Sequence, residues 1–210
     1  MQLGEALIAY GAERVEEGHM LSAAAIRDGC LILFLIADPL RRANLGALRL
    51  GETLIREAEC YRVDFSAASM KTHTPYEARL PKDLTSQLDF YIKVARPVLL
   101  ARSNKPDARW LWLGAEGLPM TAKSLSRRVA QLTEEHLGRR MSAHLFRDAS
   151  ATAVTLRDGA NVGIVASVLG HSTEKTAERY YNQARSFDAY RRYHDLVERD
   201  RRAARPRTSD

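Results

Sequence analysis

Apolar residues crowd the stretch AAAIRDGCLILFLIA densely enough for a core helix, with Ser22 placed to cap it and Pro39 to end it. In PLRRANLGALRL, which follows, Leu40, Leu45 and Leu48 return at helical spacing while Arg41, Arg42 and Asn44 take other faces. From Glu52 to about Leu80 the period changes. TLIREAECYRVDF alternates loosely and SAASMKTHTPYEARLP is rich in turn formers, which predicts a small antiparallel sheet with Lys71 near a hairpin. Helical period resumes in PKDLTSQLDFYIKVARPVLL, with Leu84, Leu88, Tyr91 and Ile92 on one side. RSNKPDA reads as a loop, and RWLWLGAEGLPM as a short strand and a glycine-rich turn in which Trp110 and Trp112 pack. Thr121 opens an amphipathic helix running through Glu135. Another helix follows, with Ser142 as its cap and Gly159 as its stop, then a short one ending at Gly170. The fold class expected is α+β and mainly α-helical, with a small antiparallel sheet set in after the first helices. Residues 1–22 read as a lead-in helix, 23–184 as the main domain, 185–203 as a C-terminal helix and 204–210 as a disordered tail.

Composition narrows the class. The chain has 210 residues, 45% of them hydrophobic and 28% charged, the profile of a soluble globular protein. The longest apolar run, Cys30 to Ala37, is too short to span a bilayer, and the acidic N-terminus is not a secretory signal. Two cysteines, Cys30 and Cys60, make neither a disulfide framework nor a zinc set, and Cys30 reads as a small buried hydrophobe. Neither GxGxxG nor GxxxxGK[ST] is present. These features suggest a reducing, cytoplasmic setting with no membrane partner. The net charge of +6 is uneven: −1 over residues 1–50, +2 over 51–138 and +5 over 139–210. A basic final third is either a nucleic-acid footprint or a solvated face.

His144 and Arg147 sit three residues apart, so both can lie on one side of a helix. An imidazole and a guanidinium together suit a phosphate, because arginine offers two parallel donors and histidine adds a third donor or a proton. Arg41 stands just past the end of an apolar helix, Lys71 in a turn, His171 after Gly170 at a helix end, and Tyr180 and Tyr181 nine and ten residues beyond His171. Taken singly each has a plainer reading: a surface cation, a helix cap, a half-buried tyrosine.

Their order changes the weighing. Arg41, Lys71, His144-x-x-Arg147, Leu169-Gly170-His171 and a tyrosine at 180 or 181 follow one another along the chain. In this the sequence resembles the catalytic domain of the tyrosine recombinases, the phage-integrase family. PLRRANLGALRL is similar to the family's first arginine box, SAHLFRDASAT to its HxxR box and LGHSTEKTAERYY to its LGH-to-tyrosine segment, so that residues 23–184 would be the catalytic domain. The resemblance implies a helical catalytic domain of the DNA breaking-rejoining type and a definite reaction. A tyrosine hydroxyl attacks a DNA phosphodiester, leaving a 3′-phosphotyrosyl link and a free 5′-hydroxyl, and another strand's 5′-hydroxyl reverses the step. It implies no cofactor, no metal in this step, no ATP and no small-molecule substrate. Arg41 and Arg147 would clamp the non-bridging oxygens and His171 would add a hydrogen bond. His144 would act as acid/base near the tyrosine, and Lys71 would protonate the departing oxygen. The commonest family spacing points to Tyr180. ERYYNQA also resembles a branch in which the tyrosine matches Tyr181, and Tyr181 is preferred here.

The chain departs from the family at Asn44, where an acidic residue is frequent, at Asp148, where histidine is, and at Pro39, where glycine is. Only about 20 residues precede the first core helix, too few for the separate DNA-clamping domain that full-length members carry. The expected partner is double-stranded DNA, with a homotetramer on paired sites. A relaxing topoisomerase of the same tyrosine chemistry, a hairpin-forming resolvase and a non-catalytic DNA-binding or regulatory relative remain the alternatives.

Overall fold

A computed structural model of the chain describes residues 2–104 and 109–157. The chain divides into two compact units, Met1–Asp148 and Ala149–Asp210. Gly159, the predicted helix up to Gly170, the C-terminal helix and the tail lie outside the described residues, as do His171, Tyr180 and Tyr181.

The first unit opens with α1 (Gln2–Ala12), followed by the central helix α2 (Met20–Ala37). The two meet backbone to backbone. A Cβ added at Gly11 would stand 2.5 Å from the Ser22 carbonyl oxygen, and one at Gly29 would stand 2.5 Å from that of Gly4. Glycine at these crossings is what lets the helices approach so closely. The helix α2 begins earlier than its pattern predicts. His19 occupies the capping position and Ser22 lies inside the first turn, within 3.1 Å of the His19 ring nitrogen. Gly18, left-handed at φ 75°, turns the chain into α2 one residue before that cap and so sets the start.

By length and composition α2 is long and apolar enough to cross a membrane, which the eight-residue apolar run alone did not suggest. Its surroundings are those of a core helix. Most of it is buried, and it carries a buried charge cluster inside the protein. Asp28, fully buried, accepts from Arg27 through Oδ1 (2.9 and 2.6 Å) and from Arg128 through Oδ2 (2.8 and 2.6 Å). Arg27 also donates to the Leu113 carbonyl at 2.9 Å. Every atom that burial strips of water here has a protein partner, which is the condition for a buried charge to be tolerated.

After Pro39 the chain makes a short helix, α3 (Arg42–Gly46), which is shorter than the leucine spacing predicts: Leu45 lies in it, Leu40 precedes it and Leu48 follows it, and all three are buried. The expected sheet is present, with order β1 (Leu54–Arg56), β2 (Tyr61–Phe65), β3 (Tyr76–Arg79), antiparallel throughout. In β2 Tyr61, Val63 and Phe65 face the core, and Arg62 and Asp64 face outward into pairs with Glu57 and with each other. Phe65 lies opposite Tyr76, so Tyr76 shares its inward face.

The predicted helix after Pro81 is three pieces end to end: α4 (Lys82–Phe90), a π-helical turn (Tyr91–Ala95) and α5 (Arg96–Leu100). The wide turn carries Tyr91, fully buried, which donates to the Leu111 carbonyl at 2.8 Å and stacks on Trp112 at 5.8 Å. Cys30 packs against the same helix, its thiol pushed up by burial, as a small hydrophobe would. RWLWLGAEGLPM does not make a named strand. It contributes single bridges, Arg49 to Trp110 and Leu113 to Pro119, around Gly117 at φ 69°. Trp112 is buried and Trp110 only half-buried, under the guanidinium of Arg49. The helix α6 (Ala122–Leu137) starts where expected, with Thr121 Oγ1 accepting from the Ser124 amide at 3.1 Å, and ends at left-handed Gly138. The last described helix is α7 (Ala143–Arg157), which begins just after Ser142.

Candidate active site

The segment 38–44 organises the candidate residues. Its geometry follows from Pro39. The residue before a proline is driven out of the helical region, and Asp38 is extended at φ −138°, ψ 93°, which ends α2. Leu40 anchors the linker in the core. Arg41 then sits half-buried and extended as the residue before α3, its carbonyl accepting from the Leu45 amide at 2.9 Å.

Lys71 is exposed in the connection between β2 and β3, next to Met70, which is buried. Asn44 holds this connection. From α3 its side-chain amide donates to the Ser69 carbonyl (3.4 Å) and meets the Met70 sulfur (3.1 Å). The departure at Asn44 therefore has a structural task, tying the loop that bears Lys71 to the helix that follows Arg41.

His144 and Arg147 lie on the first turns of α7, in different environments. The His144 side chain is 78% exposed and 4.0 Å from the Asp148 carboxylate one turn on. Arg147 is only 5% exposed. Residues three apart on a helix differ by about 60° around its axis, so one can lie at the edge of the buried face and the other inside it. Ala143, Phe146 and Arg147 turn inward, and His144 and Leu145 turn out. Inside, Arg147 Nη1 donates to the carbonyl of Pro39. That contact brings the HxxR helix onto the linker two residues before Arg41.

The same place holds residues that the pattern reading passed over. Asp38 is 4% exposed, and its Oδ1 accepts from the Tyr76 hydroxyl at 2.6 Å. Its Oδ2 is buried and has no hydrogen-bond partner among the described residues. Burial pushes the Asp38 carboxyl up to about 6, and the Tyr76 hydrogen bond and the Arg147 charge pull the other way. The Tyr76 hydroxyl is raised in turn, by burial first and by the neighbouring Asp38 second. The available sequence signal was an aspartate directly before a proline and three residues before Arg41, in a helix end otherwise wholly apolar.

Four of the seven candidate residues, Arg41, Lys71, His144 and Arg147, thus lie on segments converging on residues 38–44. Among the described residues no three His, Cys, Asp or Glu side chains are grouped to hold a metal.

The phage integrase family pattern matches residues 11–186. The tyrosine recombinase XerD of Oceanobacillus iheyensis is 26% identical over 187 residues, covering 87% of this chain and 59% of that protein. The tyrosine recombinase XerC of Lactobacillus leichmannii is 33% identical over 94 residues, 44% of this chain and 31% of that one. Among solved structures, a post-cleavage complex of XerH site-specific recombinase bound to palindromic difH substrate has a similar fold. Its TM-score is 0.62 at 19% identity, over 90% of this chain and 50% of that one. XerA recombinase gives a TM-score of 0.59 at 17% identity, over 81% and 57%. The chain spans 59% of that XerD, 50% of the XerH chain and 57% of the XerA chain, so only part of each. The family pattern covers most of the sequence and the mainly helical fold with its three-stranded sheet agrees with it, so the chain belongs to the phage integrase family.

Proposed function

We propose that this chain carries the catalytic domain of a site-specific DNA recombinase, spanning residues 23–184, with residues 185–203 as a C-terminal helix and 204–210 as a tail. In this reading Tyr181, or Tyr180 beside it, attacks a DNA phosphodiester in line. A 3′-phosphotyrosyl bond forms as the bond to the 5′-oxygen breaks. Lys71 gives that oxygen its proton, and a free 5′-hydroxyl later reverses the exchange. The transition state gathers negative charge on the non-bridging oxygens, and fixed arginines stabilise it more than the ground state. Arg41 and Arg147 fill that role, with His171 as a third donor. A tyrosine with an ordinary pKa near 10 is a poor nucleophile at neutral pH, so His144 takes its proton. His144 is exposed, which leaves its ring open to a partner. The partner is double-stranded DNA, engaged by a homotetramer on paired sites, in the cytoplasm. The +5 charge of residues 139–210, the stretch of sequence that holds His144, Arg147, His171 and both tyrosines, suits that partner.

One observation carries the reading: the buried Arg147 bound to the Pro39 carbonyl, which brings the second arginine of the motif order to the linker that bears the first. The test uses a pool of nicked DNA duplexes with randomised arms, in which the nick lets the cleaved end diffuse away and traps the covalent intermediate. The expected product is a detergent-resistant protein–DNA adduct linked through a 3′-phosphate and absent in Tyr181→Phe. Arg147→Ala should slow its formation by about 10²–10³, the cost of removing one fixed transition-state donor. Absence of any adduct from the wild-type chain would refute the reading. Loss in Tyr180→Phe alone would move the nucleophile to Tyr180.

A further inference from the structure

We infer that Asp38, Tyr76 and the Pro39 carbonyl together form a buried guanidinium seat whose task is to position Arg147. The inference rests on the proposed role of Arg147 and adds two residues that the motif order does not contain. Three elements build the seat. The linker after α2 supplies the carbonyl and the carboxylate, β3 supplies the tyrosine and α7 supplies the arginine.

The geometry separates this cluster from an ordinary packing contact. Arginine is always charged and offers five donors in a rigid fork. A buried guanidinium is held in one orientation only if fixed acceptors meet one edge of that fork. The Pro39 carbonyl meets one Nη of it. Asp38 sits near enough for the Arg147 charge to act on its carboxyl. Tyr76 holds one carboxylate oxygen at 2.6 Å, which fixes the plane of the group. The other oxygen is buried without a hydrogen-bond partner among the described residues. A buried carboxylate oxygen left in that state is costly, and an arrangement that served packing alone would be better made with apolar side chains. The cost has a use if the unspent charge keeps the guanidinium from turning away while a phosphate is awaited. Asp38 and Tyr76 touch neither DNA nor the reacting atoms. They are positioning residues.

The experiment combines a rate with a binding measurement. Asp38→Asn keeps the size of the side chain and an acceptor for Tyr76, and removes the charge. At saturating nicked duplex, adduct formation should slow by about 10- to 100-fold, the size of effect that a small misplacement of a reacting group produces. Affinity for the same duplex should stay unchanged. In Arg147→Ala the seat is empty. Added methylguanidinium should raise the melting temperature of that variant saturably and restore part of its adduct formation. The double variant Asp38→Asn/Arg147→Ala should show neither response. Asp38→Asn cleaving at the wild-type rate, or methylguanidinium acting equally with and without the Asp38 charge, would overturn the seat. Arg147→Ala cleaving like wild type would instead refute the phosphate-clamping role. Asp38-dependent binding of methylguanidinium in that same variant would still establish the seat, so the two failures are distinguishable. If Arg147→Ala does not fold, the Asp38→Asn rate against its DNA affinity decides alone.

Discussion

Two buried aspartates, ten residues apart on and just after the central helix, have been given opposite treatment. Asp28 is wholly enclosed and wholly satisfied. Two arginines grip it, two donors to each oxygen, and one of them continues to a backbone carbonyl. It joins α2 to α6 and to the segment around Leu113. Asp38 is almost as deeply buried, yet one hydroxyl serves one of its oxygens and the other oxygen has no hydrogen-bond partner among the described residues. It too has an arginine for a neighbour, and Arg147 donates to the adjacent Pro39 carbonyl. The first arrangement spends its charge fully on holding elements together. The second leaves charge unspent beside an arginine that the proposed chemistry needs. The two sites are alike in burial and differ in how fully their oxygens are met, and the role proposed for Asp38 rests on that difference.

The largest effect should come from the saturated cluster. Asp28→Ala leaves the buried Arg27 and the half-buried Arg128 without their counter-charge, and breaking a buried ion pair from one side costs about 3–5 kcal/mol. Urea denaturation at neutral pH should show that loss. A loss under about 1 kcal/mol, the level of an exposed ion pair, would mean that Asp28 is a surface-like pair after all.

Asp38→Asn should act in the opposite direction. The carboxyl is shifted from the ordinary 3.8 to about 6 by burial. Below about pH 4 it is protonated in the folded and unfolded chain alike. Between pH 4 and 6 the unfolded chain releases the proton first, so stability falls as pH rises, and above 6 the loss is complete. A shift of this size corresponds to about 3 kcal/mol. Asparagine stays neutral throughout. The variant should therefore gain up to about 3 kcal/mol on wild type between pH 4 and 7, read as the difference between two stability–pH curves. Together with slower cleavage, that makes Asp38 a residue kept at the expense of stability. Parallel curves would remove the contrast with Asp28.

How much of this could be seen in the sequence depends on what each feature needs. Apolar density located α2, and periodicity located α4, α6 and the sheet because each buries one face, while of Leu40, Leu45 and Leu48 only Leu45 lies in a helical turn. The start of α2 was missed because a left-handed glycine, and not the first cap-forming residue, set it. The π-helical turn at Tyr91 was invisible, since adding one residue to a turn leaves the apolar pattern almost intact. Arg41, Lys71, His144 and Arg147 are candidates that their order in the sequence picks out. Asp38, Asn44 and Tyr76 are not. Asn44 acts through a loop 25 and 26 residues away, and Tyr76 reaches Asp38 across 38 residues. Pairings of that range depend on sheet register, which brings Tyr76 opposite Phe65 and so inward, and no local pattern encodes them.

The smallest effect separates the two clusters most finely. Tyr76→Phe removes one hydroxyl and leaves the ring in place. At pH 5 the Asp38 carboxyl is mostly protonated, so the lost bond is a neutral one and should cost about 1 kcal/mol. At pH 8 the carboxylate is charged and the same hydroxyl donates to an anion, so the loss should rise to about 2 kcal/mol. The stability difference must therefore grow with pH, because taking away a donor to the charged form raises the folded carboxyl above 6 and widens its gap from the unfolded chain. At Asp28 four guanidinium hydrogen bonds meet the carboxylate, so no single donor there has the weight that the Tyr76 hydroxyl has at Asp38. A Tyr76→Phe penalty that is flat from pH 5 to 8 would show that Asp38 keeps one protonation state throughout. The unsaturated cluster would then differ from the saturated one in hydrogen-bond count alone.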